Sequence, residues 1–342
     1  MESRNAVSHK DLVLLFYDGY ELKAREGLVG QTFSAAHRAA RYSYRSLRSR
    51  QVRTGFYTAF LALERCLRLA GCDVRVNDFA MARANPRHPI GVGGYVSVLD
   101  HTGSLPNPRI FGPGDFGDPQ ASAAVARDER WKRLIQPCDW FIEMYRPYCG
   151  DKMMRWFAGI DTTRFADASA HEKSIDVLIY DKVRWNYDDW STRLIDPIHT
   201  HLDRLKLTHR TVRYGHHHQA EFLDGLRRAR SMLFLCEHET QGLAYQEAMS
   251  MNVPILAWDE TALVDPFLRS QASPDLRVTS VPYFDERCGA TFKSDDFATA
   301  FDRFWDERSN FQPRAYVEEE LSMSRSAELY LKTYRSLSPS EA

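Results

Sequence analysis

Residues 232–258 read MLFLCEHETQGLAYQEAMSMNVPILAW, and this run decides the fold. Met232 to Cys236 is apolar at consecutive positions, the pattern of a strand buried on both faces. Gly242 to Met251 has helical spacing, and Val253 to Trp258 is a second apolar strand. Continuous apolar strands alternating with helices predict a parallel sheet covered on both sides.

The same alternation extends outward. Ser174 to Tyr180 and Thr211 to Tyr214 are predicted strands, the second ended by Gly215, while Thr192 to Leu207 and Gln219 to Arg230 are predicted helices. The N-terminal half repeats the theme with a strand at Leu12 to Tyr17. Phe56, Phe60, Leu63, Leu67 and Leu69 mark a helix ending at Gly71, where a C-terminal glycine belongs, and Asp73 to Val76 forms a strand. Tyr95 to Leu99, Arg109 to Phe111 and Trp140 to Met144 are further strand candidates. Trp156 to His171 is polar and aperiodic and reads as a linker, and Tyr316 to Leu337 reads as one long helix. The fold class is therefore α/β, with two Rossmann-like domains facing a central cleft. Residues 1–155 form the N-terminal domain with a basic insert at 22–54; residues 156–172 form the linker. Residues 173–314 form the C-terminal domain, and 315–342 the closing helix and tail.

Composition agrees with this division. At 342 residues the chain can bury two cores. Its 45 Lys+Arg against 46 Asp+Glu argue against a surface that coats nucleic acid or membrane as a whole. No run of about 18 apolar residues occurs, so no transmembrane helix is predicted. No secretory signal is predicted from the N-terminal residues. Cys66, Cys72, Cys138, Cys149, Cys236 and Cys288 contain no Cys-x-x-Cys pair, which predicts buried free thiols and a cytoplasmic protein.

The chemistry sits in the opening stretch. Glu239 and Glu247 are separated by seven residues, a spacing that means nothing alone, since Glu320 and Glu328 share it. Context sets the first pair apart. Glu239 follows a buried strand, Gly242 opens a helix, and Glu247 lies about 7.5 Å along it at ~1.5 Å per residue. Free N–H groups at Gly242, Leu243 and Ala244 favour an anion such as a diphosphate, and glycine permits close approach. Glu247 suits a ribose diol, with Glu239 facing the group beyond the far phosphate. A nucleotide-sugar satisfies all three features.

Glu239-Thr-Gln-Gly242-Leu243-x-x-x-Glu247-Ala248-Met249 with Asn252-Val253-Pro254-Ile255 resembles the donor-site signature of retaining GT-B glycosyltransferases of the family 4 type (glycosyl transferases group 1). Trp156 to Phe165 resembles the interdomain segment of those enzymes. Arg53-Thr54-Gly55-Phe56 resembles their first glycine loop, and Leu321 to Tyr334 their closing helix that crosses back to the N-domain. The resemblance implies that Glu239 meets the donor sugar, Glu247 the ribose, and the Leu243 and Ala244 amides the distal phosphate. Lys182 and Arg184 stand where the family neutralises the diphosphate, and Tyr214-Gly215 where it holds the base. Gly55 joins the donor-binding set. The implied reaction is retaining transfer without a metal or other cofactor, with the leaving phosphate oxygen itself taking the acceptor's proton. The family's N-domain histidine has no counterpart in Ile110 to Asp115; Asp115 and His101 are the candidate replacements, Asp115 on the catalytic side and His101 on the acceptor side.

Arg38, Arg41, Arg45 and Arg48 recur at helical spacing, Arg50 and Arg53 follow, and Tyr42 and Tyr44 are interleaved. The stretch is read either as a solvated helix face or as an arm toward an anionic acceptor. That acceptor is a lipid-linked one, with peripheral contact at the inner membrane face, or a nucleic acid. His216-His217-His218 does not predict a metal site, because adjacent residues diverge and no cysteine or carboxylate cluster has ligand spacing with them. Two rival readings stand beside the transferase. One is another GT-B nucleotide-sugar enzyme of the epimerase type. The other is a nucleic-acid-binding module, or a nucleic-acid-modifying glycosyltransferase, using the Arg38–Arg53 arm. Polysaccharide or glycoconjugate synthesis is the setting the family implies.

Overall fold

A computed structural model describes residues 11–47 and 54–337. Arg48, Arg50 and Arg53, and the side chains of Tyr42, Tyr44 and Arg45, lie outside the described residues. The first domain holds six strands: β1 Leu12–Asp18, β2 Asp73–Val76, β3 Ile90–Gly94, β4 Arg109–Gly114, β5 Trp131–Gln136 and β6 Met153–Arg155. They form one parallel sheet in the order β2-β1-β3-β4-β5-β6. The second domain holds β7 Ile175–Asp181, β8 His209–Arg213, β9 Ala229–Leu235, β10 Ile255–Trp258 and β11 Gly289–Phe292. These are parallel in the order β11-β10-β9-β7-β8.

Alternation along the strands explains the unbroken apolar runs. In β1, Val13, Leu15 and Tyr17 enter one core with Tyr57, Phe60 and Leu63, while Leu14 and Phe16 enter another with Phe79 and Phe111. In β7, Val177 and Ile179 pack with Ile198 and Phe301, and Leu178 and Tyr180 with Phe222 and Tyr245. Both faces are covered, so residues 13–17 and 177–180 are apolar without a break.

Four expectations need correction. Tyr95 to Leu99 is no strand: β3 ends at Gly94, and Ser97–Thr102 is helical. Sequence reading misses β3 because it is Ile-Gly-Val-Gly-Gly, where a Cβ on Gly91 would stand 2.0 Å from the Tyr330 hydroxyl and one on Gly93 2.7 Å from the Pro113 carbonyl. Trp140 to Met144 lies in the helix Asp139–Cys149, and the strand is the charged stretch before it, β5. The final helix is two, Pro313–Glu320 and Met323–Ser336, because Ser322 is extended and its hydroxyl caps the Arg325 N–H. Trp156 to His171 is aperiodic but not polar throughout: Trp156, Phe157, Ile160 and Phe165 are buried, and the Trp156 indole donates to the Ser326 carbonyl at 3.0 Å.

The chain end binds the domains together. Pro313–Glu320 packs on Leu243–Ser250, and Met323–Ser336 lies on Gly55–Leu69 of the first domain. Leu263 and Val278 of the second domain are buried in a core of the first. All six cysteines are buried and free, as the sequence predicts. Among the described residues, no helix is long and apolar enough to cross a membrane.

Candidate active site

Parallel strands deliver their following loops to one sheet edge. Asp181 of β7 is level with Arg213 of β8 and Leu235 of β9, so Lys182, Tyr214 and the Glu237–Glu239 loop emerge together. The Lys182 N–H donates to Leu235 at 2.8 Å and the Tyr214 N–H to Asp181 at 2.9 Å.

The Lys182 ammonium hydrogen-bonds Oε2 of Glu239 and lies 4.8 Å from the centre of the Tyr214 ring. The two charged side chains are 15% and 12% exposed. Burial works to lower the Lys182 pKa, yet the adjoining Glu239 carboxylate overrides it and leaves it raised. Burial works to raise Glu239, but Lys182, with Arg184 and the Thr240 amide, holds it lowered. The pair stays ionised because each charge is the other's solvent.

Arg184 is exposed, lies 4.2 Å over the Trp185 ring and donates to the His238 carbonyl at 2.7 Å. Its backbone is fixed by Glu237, a residue the sequence reading passed over. That buried carboxylate accepts the Arg184 and Trp185 N–H groups at 2.9 Å each. The only sequence signal was an acid two residues before Glu239 on a buried strand end.

Beyond this loop, Gly242 adopts φ +80° and ψ 48°, and a Cβ there would stand 2.0 Å from Cε1 of Tyr245. Glycine is thus required twice, by conformation and by space. The N–H groups of Gly242, Leu243 and Ala244 find no acceptor among the described residues. Glu247 lies one turn along. Its carboxyl makes no hydrogen bond among the described residues, and burial pushes its pKa up to about 8, only partly offset by Arg164. Gln241 ties the loop to the interdomain segment, accepting from the Ala158 N–H at 3.0 Å and donating to its carbonyl at 2.8 Å. Gly215 has φ +79° and ends β8 as a turn glycine.

The remaining candidates sit in the first domain. Asp115, just past β4, lines a groove of ≈ 240 Å³ with Gly19, Tyr20, Lys23, Tyr95, Val96 and Ser97. Its carboxylate also accepts the Gly117 N–H at 2.9 Å. His101 turns toward buried Asp18, 3.7 Å away, and is 43% exposed. Gly55 is exposed and a Cβ would meet nothing within 4 Å. The helix start beside it is taken by the Glu21 carboxylate, which accepts the Thr54 N–H at 2.7 Å. Arg41 is turned inward, 3.8 Å from Glu21 and 5.2 Å over the Tyr20 ring, whereas Arg38 is exposed. In the histidine run, His217 packs on Tyr180 and Phe222 and bonds the Arg213 carbonyl at 2.8 Å. The two sheet edges meet where the Trp140 indole, just beyond β5, donates to the Glu239 carbonyl at 3.0 Å.

This architecture is the GT-B fold: two parallel-sheet Rossmann-like domains closed by a helix that returns to the first. No family model and no curated protein matches the sequence. Solved structures match in fold. Sucrose-phosphate synthase from Thermosynechococcus elongatus superposes with a TM-score of 0.56 at 11% identity, covering 96% of this chain and 99% of that one. TarM from S. aureus superposes at 0.50 with 10% identity over 75% of this chain. The chain spans only 56% of TarM's length.

Proposed function

We propose that the protein is a glycosyltransferase that moves a sugar from a nucleotide-sugar donor to an acceptor hydroxyl, with retention and without a metal. The observation that carries this reading is the gathering of Lys182, Arg184 and Glu239 at one sheet edge, beside a helix start whose N–H groups find no acceptor among the described residues. In this role Lys182, Arg184 and the Gly242–Ala244 amides receive the diphosphate, whose charge grows as the glycosidic bond breaks. Preorganised charge of this kind is commonly the largest part of catalysis. Glu247, whose carboxyl makes no hydrogen bond among the described residues, takes the ribose diol one turn in. Tyr214 flanks the base, and Glu239 holds the donor sugar once the diphosphate draws Lys182 away.

The reaction balances without a protein base. The C1–O bond to phosphate breaks, the acceptor oxygen bonds C1 on the same face, and its proton passes to the departing diphosphate. Asp115 and its groove supply the acceptor side. Arg41 is committed to Glu21, so the inner part of the basic stripe contributes little to anion binding.

The test is a thermal-shift panel of nucleoside diphosphates and their sugars, since a bound donor stabilises by mass action, about 2.7 kcal/mol at a hundredfold excess over Kd. One base and one sugar should stabilise the protein, and Glu239→Ala should abolish transfer while remaining folded. A panel with no shift, or wild-type transfer by Glu239→Ala, defeats the assignment.

A further inference from the structure

We propose that Trp140, from the first domain, is a positioning residue for Glu239, setting that acid's place across the domain boundary; the proposal rests on the donor-site reading of Glu239 given above.

The backbone of Glu239 is held on both sides. Its N–H donates to the Thr279 carbonyl at 3.0 Å, a contact within the second domain. Its carbonyl accepts the Trp140 indole N–H at 3.0 Å, a contact from the first. Without the indole, the Glu239 carbonyl has no other hydrogen-bond donor among the described residues. Trp140 is itself fixed: it is 6% exposed, lies in the first turn of Asp139–Cys149, and packs 5.1 Å from Phe141.

The neighbouring residue extends the same device. The His238 ring lies 5.8 Å from Trp140 and 5.0 Å from Trp185. Three rings therefore run from the first domain, past the residue before Glu239, to the loop that bears Lys182 and Arg184. His238 Nε2 is buried and finds no hydrogen-bond partner among the described residues, so ring packing orients this side chain. Burial, aided by Arg184, lowers its pKa to about 4 and keeps the row uncharged at neutral pH. A carboxylate moves with its backbone, and displacement of a reacting group by a fraction of an ångström weakens catalysis far more than binding. Trp140 is thus expected to act on turnover and to leave the diphosphate contacts of Lys182 and the Gly242 helix alone.

Trp140→Phe keeps the ring against His238 and Phe141 and removes the N–H. Two quantities are compared with the wild type: release of nucleoside diphosphate from the nucleotide-sugar that stabilises the wild type most, and calorimetric affinity for that nucleoside diphosphate. A roughly tenfold fall in kcat is expected, the size of one hydrogen bond, with affinity changed less than twofold. In a Glu239→Asp background, whose shortened side chain keeps a carboxylate and measurable release but already withdraws it from its place, the same substitution should cause a smaller fall, because its effect passes through Glu239. Unchanged kcat, or an equal fall in both backgrounds, overturns the proposal. A wild-type protein that binds no nucleoside diphosphate is a separate failure, which removes the donor-site reading and this proposal with it.

Discussion

Replacing Glu247 with Gln should make the protein's stability less dependent on pH, and the sign follows from the direction of its shift. The carboxyl is pushed from 4.5 to about 8 by burial. Between those values the folded protein retains a proton that the unfolded chain has released. Folding is therefore progressively disfavoured as pH rises from 4.5 to 8, by roughly 1.4 kcal/mol per unit. The full shift amounts to roughly 5 kcal/mol above pH 8. Glu247 is only half-buried, and water on its open side screens the charge, so about half that figure is the expected penalty. At pH 5 the wild type and Glu247→Gln should melt together. At pH 8.5 the variant should melt several degrees higher, at about 2–4 °C per kcal/mol. The assay is a paired melting series from pH 5 to 9. Ribose hydroxyls donating to the ionised carboxylate should draw the pKa back down, so nucleotide binding near pH 7 should release a proton, seen as a buffer-dependent calorimetric heat. A melting difference that stays constant across the series would refute the reasoning, because the carboxyl would then titrate normally.

Gly242→Ala forces a side chain into φ +80° and against the Tyr245 ring, and should cost about 2–4 kcal/mol, read by urea unfolding, with loss of nucleotide binding. Lys182→Ala strands a buried carboxylate and should destabilise by about 3–5 kcal/mol; Lys182→Met combined with Glu239→Gln should recover most of the stability without recovering transfer. Arg38→Ala, at an exposed site, should shift stability by no more than about 0.5 kcal/mol in the same unfolding assay.

Four of the second domain's five strands were legible, β7, β9 and β10 because they are buried on both faces and announce themselves as apolar runs; β11, four residues at the end of the sheet, was not read. The position of the Glu239–Glu247 stretch was legible for a related reason: a loop between such a strand and a helix opened by glycine emerges at the carboxyl end of a parallel sheet. In the first domain the same logic failed at β3, whose glycines answer to Tyr330 and Pro113 from distant parts of the chain, and at β5, whose Lys132 and Arg133 hide a strand.

What the sequence determined by itself was local: that the apolar runs of β1, β7, β9 and β10 are strands, where a helix start lies open, and which acids flank it. Those follow from periodicity and backbone chemistry within a few residues. The tertiary structure alone decided the partnerships. It paired Lys182 with Glu239 across 57 positions, gave Glu237 the task of fixing the Lys182–Trp185 loop, drew Arg41 inward to Glu21, and set Trp140 on the Glu239 carbonyl. Those contacts depend on strand order and on how two domains meet, and no short-range pattern encodes either.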